Sequence, residues 1–138
     1  MSSRMPVWRI LLGLNGRIRR RDFWLWSIVN IIGFCVVSVI VTRFFVDTAL
    51  DGSGMGVQWF HNLAIIAAVA PFVWIGAALN IKRLHDVGRS YRWWRINLVP
   101  VLGWAWTFFE CGLRDGTPGP NRYGPSPKGV GDPEKVFE

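Results

Sequence analysis

The sequence predicts an all-α integral membrane protein with three transmembrane helices and a short N-terminal interfacial helix. The first observation is composition: the 138 residues are 51% hydrophobic and include nine Trp and nine Phe, yet the formal net charge is +7. The second is that charged and apolar residues are separated into blocks along the chain. Long apolar runs between short basic blocks are typical of membrane-spanning helices. A nucleic-acid-binding protein would line one folded face with its basic residues, so we expect no nucleic acid partner.

The N-terminal segment, residues 1–22, is predicted to lie on the membrane surface. Its apolar cluster at 7–14 is too short to cross a hydrocarbon core, which needs about 20 helical residues. A helix lying in the interface fits this length, with Arg4 and Arg9 at the lipid head groups. Asp22 closes the segment and is the predicted N-cap of the first spanning helix.

The transmembrane domain, residues 23–113, is expected to hold the three spans. The first span, about 23–43, contains only small polar side chains that a helix can satisfy internally or against a neighbour. The second span, about 59–80, contains Pro71. Because the apolar run continues on both sides of this proline, we expect it to kink the helix without ending it.

The third span, about 93–113, is interrupted by Pro100 and Gly103. A complete crossing and a re-entrant or tilted segment therefore both stay open for it. The remaining residues, 114–138, form a tail rich in Gly and Pro, and its last ten or so residues are expected to be disordered. A complete third crossing would place this tail outside the cell.

The distribution of Lys and Arg predicts the orientation in the membrane. Six Arg precede the first span and five Lys or Arg lie within 81–95, whereas the acidic, Gly-rich linker 47–57 contains neither. Because basic loops are retained in the cytoplasm, we expect the N-terminus and the 81–95 loop inside and the 47–57 loop outside. At the outer face Glu110 is expected to meet either Arg43 from the first span or Arg114 at i,i+4.

Several short motifs stand together in a particular order. They are Gly16-Arg17, Phe23-Trp24, Arg83-Leu84-His85-Asp86, Gly88-Arg89-Ser90 and Asn121-Arg122-Tyr123-Gly124-Pro125. In combination they resemble the domain of unknown function 805 family, small inner-membrane proteins of bacteria, over about residues 15–127. The resemblance implies a location in the bacterial inner membrane and implies no particular activity.

His85 and Asp86 are the most tempting pair for chemistry, because a His beside a carboxylate could be a general base or a metal ligand. Adjacent residues on a helix do not face each other, however, and no second His or nucleophile lies at a suitable spacing. We therefore predict no catalytic residue, no metal site and no cofactor. His85 and Asp86 are expected to position arginine side chains, with Asp86 pairing to Arg83 or Arg89.

The stronger functional signal lies in four arginines of the two basic blocks, Arg17, Arg20, Arg83 and Arg89. If the blocks converge, their guanidinium forks could bind the phosphate of an anionic lipid or an acidic partner surface. The alternative is that these arginines only set the topology and anchor the chain at the lipid head groups.

Three amides, Asn30, Asn80 and Asn97, fall near the predicted cytoplasmic ends of their spans, where they could line a cavity or hold helices together. The function expected from these features is a lipid-binding or scaffolding subunit of a membrane complex. The alternative is a small oligomeric transporter or channel-like protein, which requires self-assembly because three helices enclose too little space for a pore. An enzyme that acts on lipid is the third class.

Overall fold

The computed structural model describes residues 6–50 and 55–128, and this part of the chain is helical with no β-strand. The predicted all-α class is therefore confirmed. The helices, in chain order, are α1 Val7–Leu12, α2 Arg20–Leu50, α3 Met55–Asp86, a 3₁₀ helix Tyr91–Leu98, α4 Leu102–Thr107 and a π-helical turn Phe108–Leu113. The tail residues expected to be disordered and Arg4 lie outside the described residues.

The two long helices, α2 and α3, form the predicted first and second spans. They contain 31 and 32 residues, which at 1.5 Å per residue gives lengths of about 46 to 48 Å, more than the roughly 30 Å hydrocarbon core. Both are long and apolar enough to cross a membrane. In α2 no residue of the apolar stretch is buried inside the protein. A helix that is apolar on all sides and leaves these residues unburied in the protein is suited to lipid surroundings.

The ends of these helices differ from the sequence prediction. Helix α2 begins at Arg20, so Asp22 lies in its first turn and is not the N-cap. The carboxylate still faces the positive end of the helix dipole there. Part of the predicted loop 47–57 is helical, because α2 continues to Leu50 and α3 begins at Met55. Pro71 lies inside α3, as predicted, and does not end it.

Close backbone approach joins α2 and α3 into a hairpin. A Cβ placed at Gly33 would lie 2.9 Å from Cε1 of Phe72, so the phenyl ring of α3 uses the space that glycine leaves. One turn away, Asn30 Nδ2 donates a hydrogen bond to the Phe72 carbonyl at 3.1 Å. This is the helix-holding role that the sequence analysis left open for Asn30, and it matches the use of small and amide residues between helices in membranes.

The segment predicted as a third spanning helix is not one helix but three short ones. The 3₁₀ helix ends at Leu98, and a tight turn follows in which the Leu102 N–H donates to the Pro100 carbonyl at 2.7 Å. Val101, at the centre of this turn, has a φ of 64°, a conformation that a β-branched residue rarely adopts. Two long apolar helices, and no third, are present in the described part of the chain.

After this turn the chain runs back along itself. The rings of Trp93 and Trp106 stack with centroids 5.5 Å apart, and Arg89 pairs with Glu110. Moving away from the turn at Val101, each of these residues on the first arm contacts a residue at a similar distance along the second arm, as in a hairpin. Eight residues of 3₁₀ helix rise only about 16 Å, roughly half of a hydrocarbon core. We call residues 91–113 the folded-back segment; its geometry corresponds to the re-entrant alternative.

This reversal corrects the predicted position of Glu110. The carboxylate lies between two arginines, 2.5 Å from Arg89 Nη2 and 2.7 Å from Arg114 Nη1. The predicted pair with Arg43 is wrong, because the chain returns to the end of the hairpin where α2 begins and α3 ends. The i,i+4 pair with Arg114 is confirmed. The tail is at this end too, and not at the opposite end where a complete third span would have placed it.

We therefore predict that the folded-back segment and the tail are reached from the same side of the membrane. In a Cys35→Ser background, whose remaining Cys111 is buried, cysteines introduced one at a time at Tyr91 and Arg122, both exposed, should react with an impermeant maleimide from one side. A cysteine at Ser53 should react from the other side, because one crossing separates it from each. Labelling of the Arg122 and Ser53 cysteines from a common side would contradict the hairpin.

Candidate functional site

A buried carboxylate lies where α3 ends. Asp86 is 3% exposed and accepts a hydrogen bond from Nε of Arg17 at 3.0 Å. It also forms an ion pair with Arg83, one helical turn earlier on the same helix. Both guanidinium groups are buried as well. The predicted pair between Asp86 and Arg83 is confirmed, whereas Arg89 pairs with Glu110 instead. We call Arg17, Arg83 and Asp86 the buried ionic cluster.

Arg17 holds the C-terminal tail through the donors that Asp86 does not use. Its Nη1 donates to the carbonyl of Gly119 at 2.8 Å and to that of Gly124 at 3.2 Å, and its Nη2 donates to the carbonyl of Thr117 at 2.7 Å. The Thr117 N–H in turn donates to the Asp86 carbonyl at 2.8 Å. One guanidinium thus fixes a loop that lies about a hundred residues further along the chain.

Arg83 holds the end of the folded-back segment in the same way. Its Nε donates to the Cys111 carbonyl at 2.8 Å, and its Nη2 contacts the Arg114 carbonyl. Two buried cations next to one anion leave a net positive charge, which carbonyl oxygens partly compensate. Such compensation is required, because an unpaired buried charge costs several kcal/mol.

His85 forms no ion pair or hydrogen bond with an arginine side chain among the described residues, so its predicted role in positioning arginines stays a prediction. Its ring stacks on Tyr123 with centroids 3.9 Å apart and an interplanar angle of 7°. Its carbonyl accepts a hydrogen bond from Asn121 Nδ2 at 3.0 Å. Among the described residues Nδ1 has no hydrogen-bond partner. His85 thus serves as a further contact for the tail.

Lys82 docks α1 onto α3 and was missed in the sequence analysis. Its side chain is fully buried, and Nζ contacts the carbonyls of Arg9 and Ile10. These carbonyls lie in the last turn of α1, where no intrahelical N–H is available to them. Trp74 Nε1 also donates to the Leu12 carbonyl at 3.1 Å. In the sequence Lys82 is one of five basic residues within 81–95, and no local pattern distinguishes it from the others.

Together these contacts assemble a folded unit at one end of the helical hairpin. We call it the cap; it consists of residues 6–22, 82–90 and 110–128. The participation of the tail was also missed, since its Gly and Pro content is equally common in disordered segments. The one available signal was that the family-like motifs extend to Pro125.

The four arginines proposed as one site are divided between three environments. Arg17 and Arg83 meet at Asp86, and their donors are occupied by the protein. Arg20 lies at the edge, half exposed, with Nη1 donating to the Leu113 carbonyl at 2.8 Å. Arg89 lies apart, with its Cζ 4.5 Å from the centroid of the Trp93 ring. This distance is that of a cation–π contact.

The surface next to Arg20 contains further charges. Asp115 is fully exposed, and its carboxylate contacts Lys128 Nζ at 3.4 Å and Arg20 Nη1 at 3.7 Å. The hydrogen bond from Lys128, assisted by the charge of Arg20, lowers the pKa of the Asp115 carboxyl. Exposed pairs of this kind contribute little to stability.

A second basic surface lies on the 3₁₀ helix and was not singled out as a site from the sequence. Arg92 and Arg95 are both exposed and, with Trp93 and Ile96, line a shallow depression of about 260 Å³. Nε of Arg95 makes one long contact, 3.4 Å, to the Arg92 carbonyl. Arg92 has no side-chain partner among the described residues. We call this surface the exposed arginine pair.

Comparison with known proteins places the chain in a family. The family described as "Protein of unknown function (DUF805)" matches residues 11–125. The chain belongs to this family. The DUF805 match covers the hairpin, the folded-back segment and the tail up to Pro125, and so contains every member of the buried ionic cluster. The resemblance drawn from the short motifs is confirmed.

Curated relatives are similar over nearly their full length. Inner membrane protein YhaI of Escherichia coli (strain K12) is 32% identical over 125 residues, covering 90% of this chain and 93% of the relative. Inner membrane protein YhaH of the same strain is 34% identical over 127 residues, covering 90% and 94%. No solved structure matches the chain. The names of these relatives and the two apolar helices support the prediction of a bacterial inner-membrane protein.

We predict that Asp86→Asn opens the cap, because it leaves two buried guanidinium groups without a counter-charge. Removing one partner of a buried ion pair costs about 3–5 kcal/mol of the free energy of unfolding. The readout is alkylation of Cys111 in a Cys35→Ser background. Cys111 is 1% exposed and lies outside the two spanning helices, and burial raises the pKa of its thiol to about 12.

In the parent protein Cys111 should therefore be protected, and the Asp86→Asn variant should be alkylated about a hundredfold faster or more, as that loss of stability implies. The matched control is Asp115→Asn, which neutralises a carboxylate of the same surface that is fully exposed. It should leave the rate unchanged. Equal rates in the parent and the Asp86→Asn variant would show that Asp86 does not hold the cap together.

Proposed function

We propose that the protein is an inner-membrane scaffold that binds anionic lipid at the exposed arginine pair, next to its cap and on the cytoplasmic side. The observation that carries this proposal is the contrast between two sets of arginines. One set is buried and its donors are used within the protein, whereas Arg92 and Arg95 are exposed and have almost all their donors free. Exposed guanidinium forks beside a tryptophan are suited to lipid phosphate at the membrane interface.

The predicted lipid-binding residues keep different roles in this proposal. Arg20 and Arg89 are partly exposed residues of the cap, and they add positive charge to the side of the protein that faces a bound head group. Arg17 and Arg83 act indirectly, because the buried ionic cluster fixes the C-terminal end of the folded-back segment, which carries the exposed arginine pair. Each basic residue near an anionic surface contributes about 1 kcal/mol of attraction.

The cytoplasmic orientation rests on the distribution of charge. The basic block before α2, the end of α3 and the exposed arginine pair all belong to the same end of the hairpin, and basic ends are retained in the cytoplasm. The cytoplasmic leaflet also carries the negative surface potential that attracts such segments. The proposed orientation and the proposed ligand therefore depend on the same set of residues.

The scaffold part of the proposal follows from the rigidity of the cap. Segments from both ends of the chain are fixed against α3 by buried hydrogen bonds from Lys82, Arg83 and Arg17. A unit of this kind can present a constant surface to a neighbouring membrane protein. No contact among the described residues favours the alternative of an oligomeric transporter or channel.

We predict that the double variant Arg92→Gln, Arg95→Gln loses anionic lipid without losing its fold. Purified protein would be exchanged into defined mixtures of phosphatidylglycerol and phosphatidylethanolamine, and bound lipid counted by native mass spectrometry. At about 1 kcal/mol for each residue, the affinity for phosphatidylglycerol should fall about fivefold per arginine removed. Protection of Cys111 from alkylation would confirm that the cap is intact.

The control is Arg122→Gln, which removes an exposed arginine that stacks on Tyr123 and lies outside the exposed arginine pair. It should retain phosphatidylglycerol at the parent level. A conservative Arg92→Lys, Arg95→Lys variant distinguishes bidentate binding, which it would weaken, from simple attraction, which it would preserve. Unchanged lipid retention in the Gln double variant would overturn the proposal, and a co-purified acidic protein would then become the ligand to consider.

A further inference from the structure

A cavity lies between the helical hairpin and the folded-back segment, away from the arginines. It has a volume of about 390 Å³, within the range of sites for small ligands. Its walls come from the first turns of α2, from the last three turns of α3 before the cap, and from both arms of the folded-back segment. The lining residues are Phe23, Trp24, Ser27, Val73, Gly76, Ala77, Asn80, Trp94, Asn97, Trp104, Thr107 and Phe108.

The aromatic part of the wall is held in place by the cap and by ring contacts. Trp24 Nε1 donates to the Gly112 carbonyl at 3.1 Å, and the Trp24 ring meets that of Phe108 edge-on at 5.6 Å. A Cβ at Gly112 would lie 2.6 Å from Cζ2 of Trp24, so the indole fits only against a glycine. The wall is thus preformed and does not need a ligand to assemble it.

Polar groups with unused hydrogen-bonding capacity interrupt the aromatic wall. Asn80 donates from Nδ2 to the Gly76 carbonyl at 2.8 Å, but its Oδ1 is buried and has no partner in the described part of the chain. The hydroxyl of Ser27 likewise has no partner among the described residues. A buried carbonyl oxygen without a partner costs about 1–3 kcal/mol, which a hydrogen-bond donor from a ligand would offset.

The chemistry of the lining restricts the ligand. None of the described residues that line the cavity carries a charge, so a charged group would lose its hydration without compensation. Two of the lining residues, Val73 of α3 and Trp104 of α4, are largely exposed on the apolar outer surface of the protein. A ligand therefore enters from the lipid phase.

We propose that this cavity is a binding site for an uncharged lipid whose head group is a hydroxyl, with its hydrocarbon chain against the tryptophans and its hydroxyl at Ser27 and Asn80. The hydroxyl donates to the free amide oxygen, after a small rotation of the Asn80 side chain, and accepts from the serine. The site is separate from the exposed arginine pair, because the two surfaces share no residue. It therefore does not depend on anionic lipid binding.

The test uses a diacylglycerol with a photoreactive acyl chain and the same molecule with its hydroxyl acetylated. In detergent the parent protein should cross-link to the free alcohol in preference to the acetate, by about fivefold, the effect of one hydrogen bond. Peptide mapping should place the cross-link on the lining residues. Asn80→Leu should remove the preference between the two probes while Cys111 stays protected from alkylation.

A second pair of variants tests the volume itself. Ala77→Phe fills the cavity and should abolish cross-linking of both probes. Ile66→Phe adds the same bulk to an exposed position of α3 outside the cavity and should change nothing. Equal labelling by the alcohol and the acetate in the parent protein would overturn the proposal, as would cross-links spread over the whole surface of the hairpin. Undiminished cross-linking of the Ala77→Phe variant would also overturn it.

Discussion

The folded state of the cap depends on one carboxylate. Asp86 lies at the end of a 32-residue helix and is shared by two buried guanidinium groups, one from before α2 and one from α3 itself. Each of these groups then extends to a different part of the chain: Arg17 to the loop at 117–124 and Arg83 to the chain at 111–114. Because the charges cannot be left unpaired in a buried place, the positions of all these segments are linked.

Different forces stabilise the two halves of the molecule. Helices α2 and α3 are held together by close van der Waals packing, with the Phe72 ring against Gly33, and by one amide hydrogen bond. Lipid tails are as apolar as the helices, so burial of apolar surface adds little there. In the cap, by contrast, few apolar side chains are buried and most of the buried volume belongs to charged residues. The cap therefore depends on directional contacts, and each has a defined partner.

The sequence predicted the parts of the fold that periodicity and charge control. Two long apolar runs with no charged face are typical of spanning helices, and the α1 helix is too short to be one. The folded-back segment was harder to predict, because an apolar run of about 20 residues is compatible with both a crossing and a reversal. In the structure the chain reverses at the tight turn centred on Val101. The two arms then come so close that a Cβ at Gly103 would overlap the Ile96 carbonyl.

For the candidate site, the sequence identified the right residues but not their arrangement. Arg17, Arg83 and Asp86 were selected, yet their convergence depends on contacts across about seventy residues, which no local pattern contains. The part played by Lys82, Thr117 and Gly119 was invisible for the same reason. Their functional atoms include backbone carbonyls, whose positions are properties of the fold and not of residue type.

The most direct test of the central claim is a double-mutant cycle between Arg17 and Asp86. The free energy of unfolding in detergent would be measured for the parent, Arg17→Gln, Asp86→Asn and the double variant. A shared buried cluster predicts a coupling energy of at least about 1.5 kcal/mol, as found for close charge pairs. The exposed pair Asp115 and Lys128 provides the reference and should give a coupling below about 1 kcal/mol. Additive effects at positions 17 and 86, within about 0.5 kcal/mol, would contradict the claim that Asp86 holds the cap together.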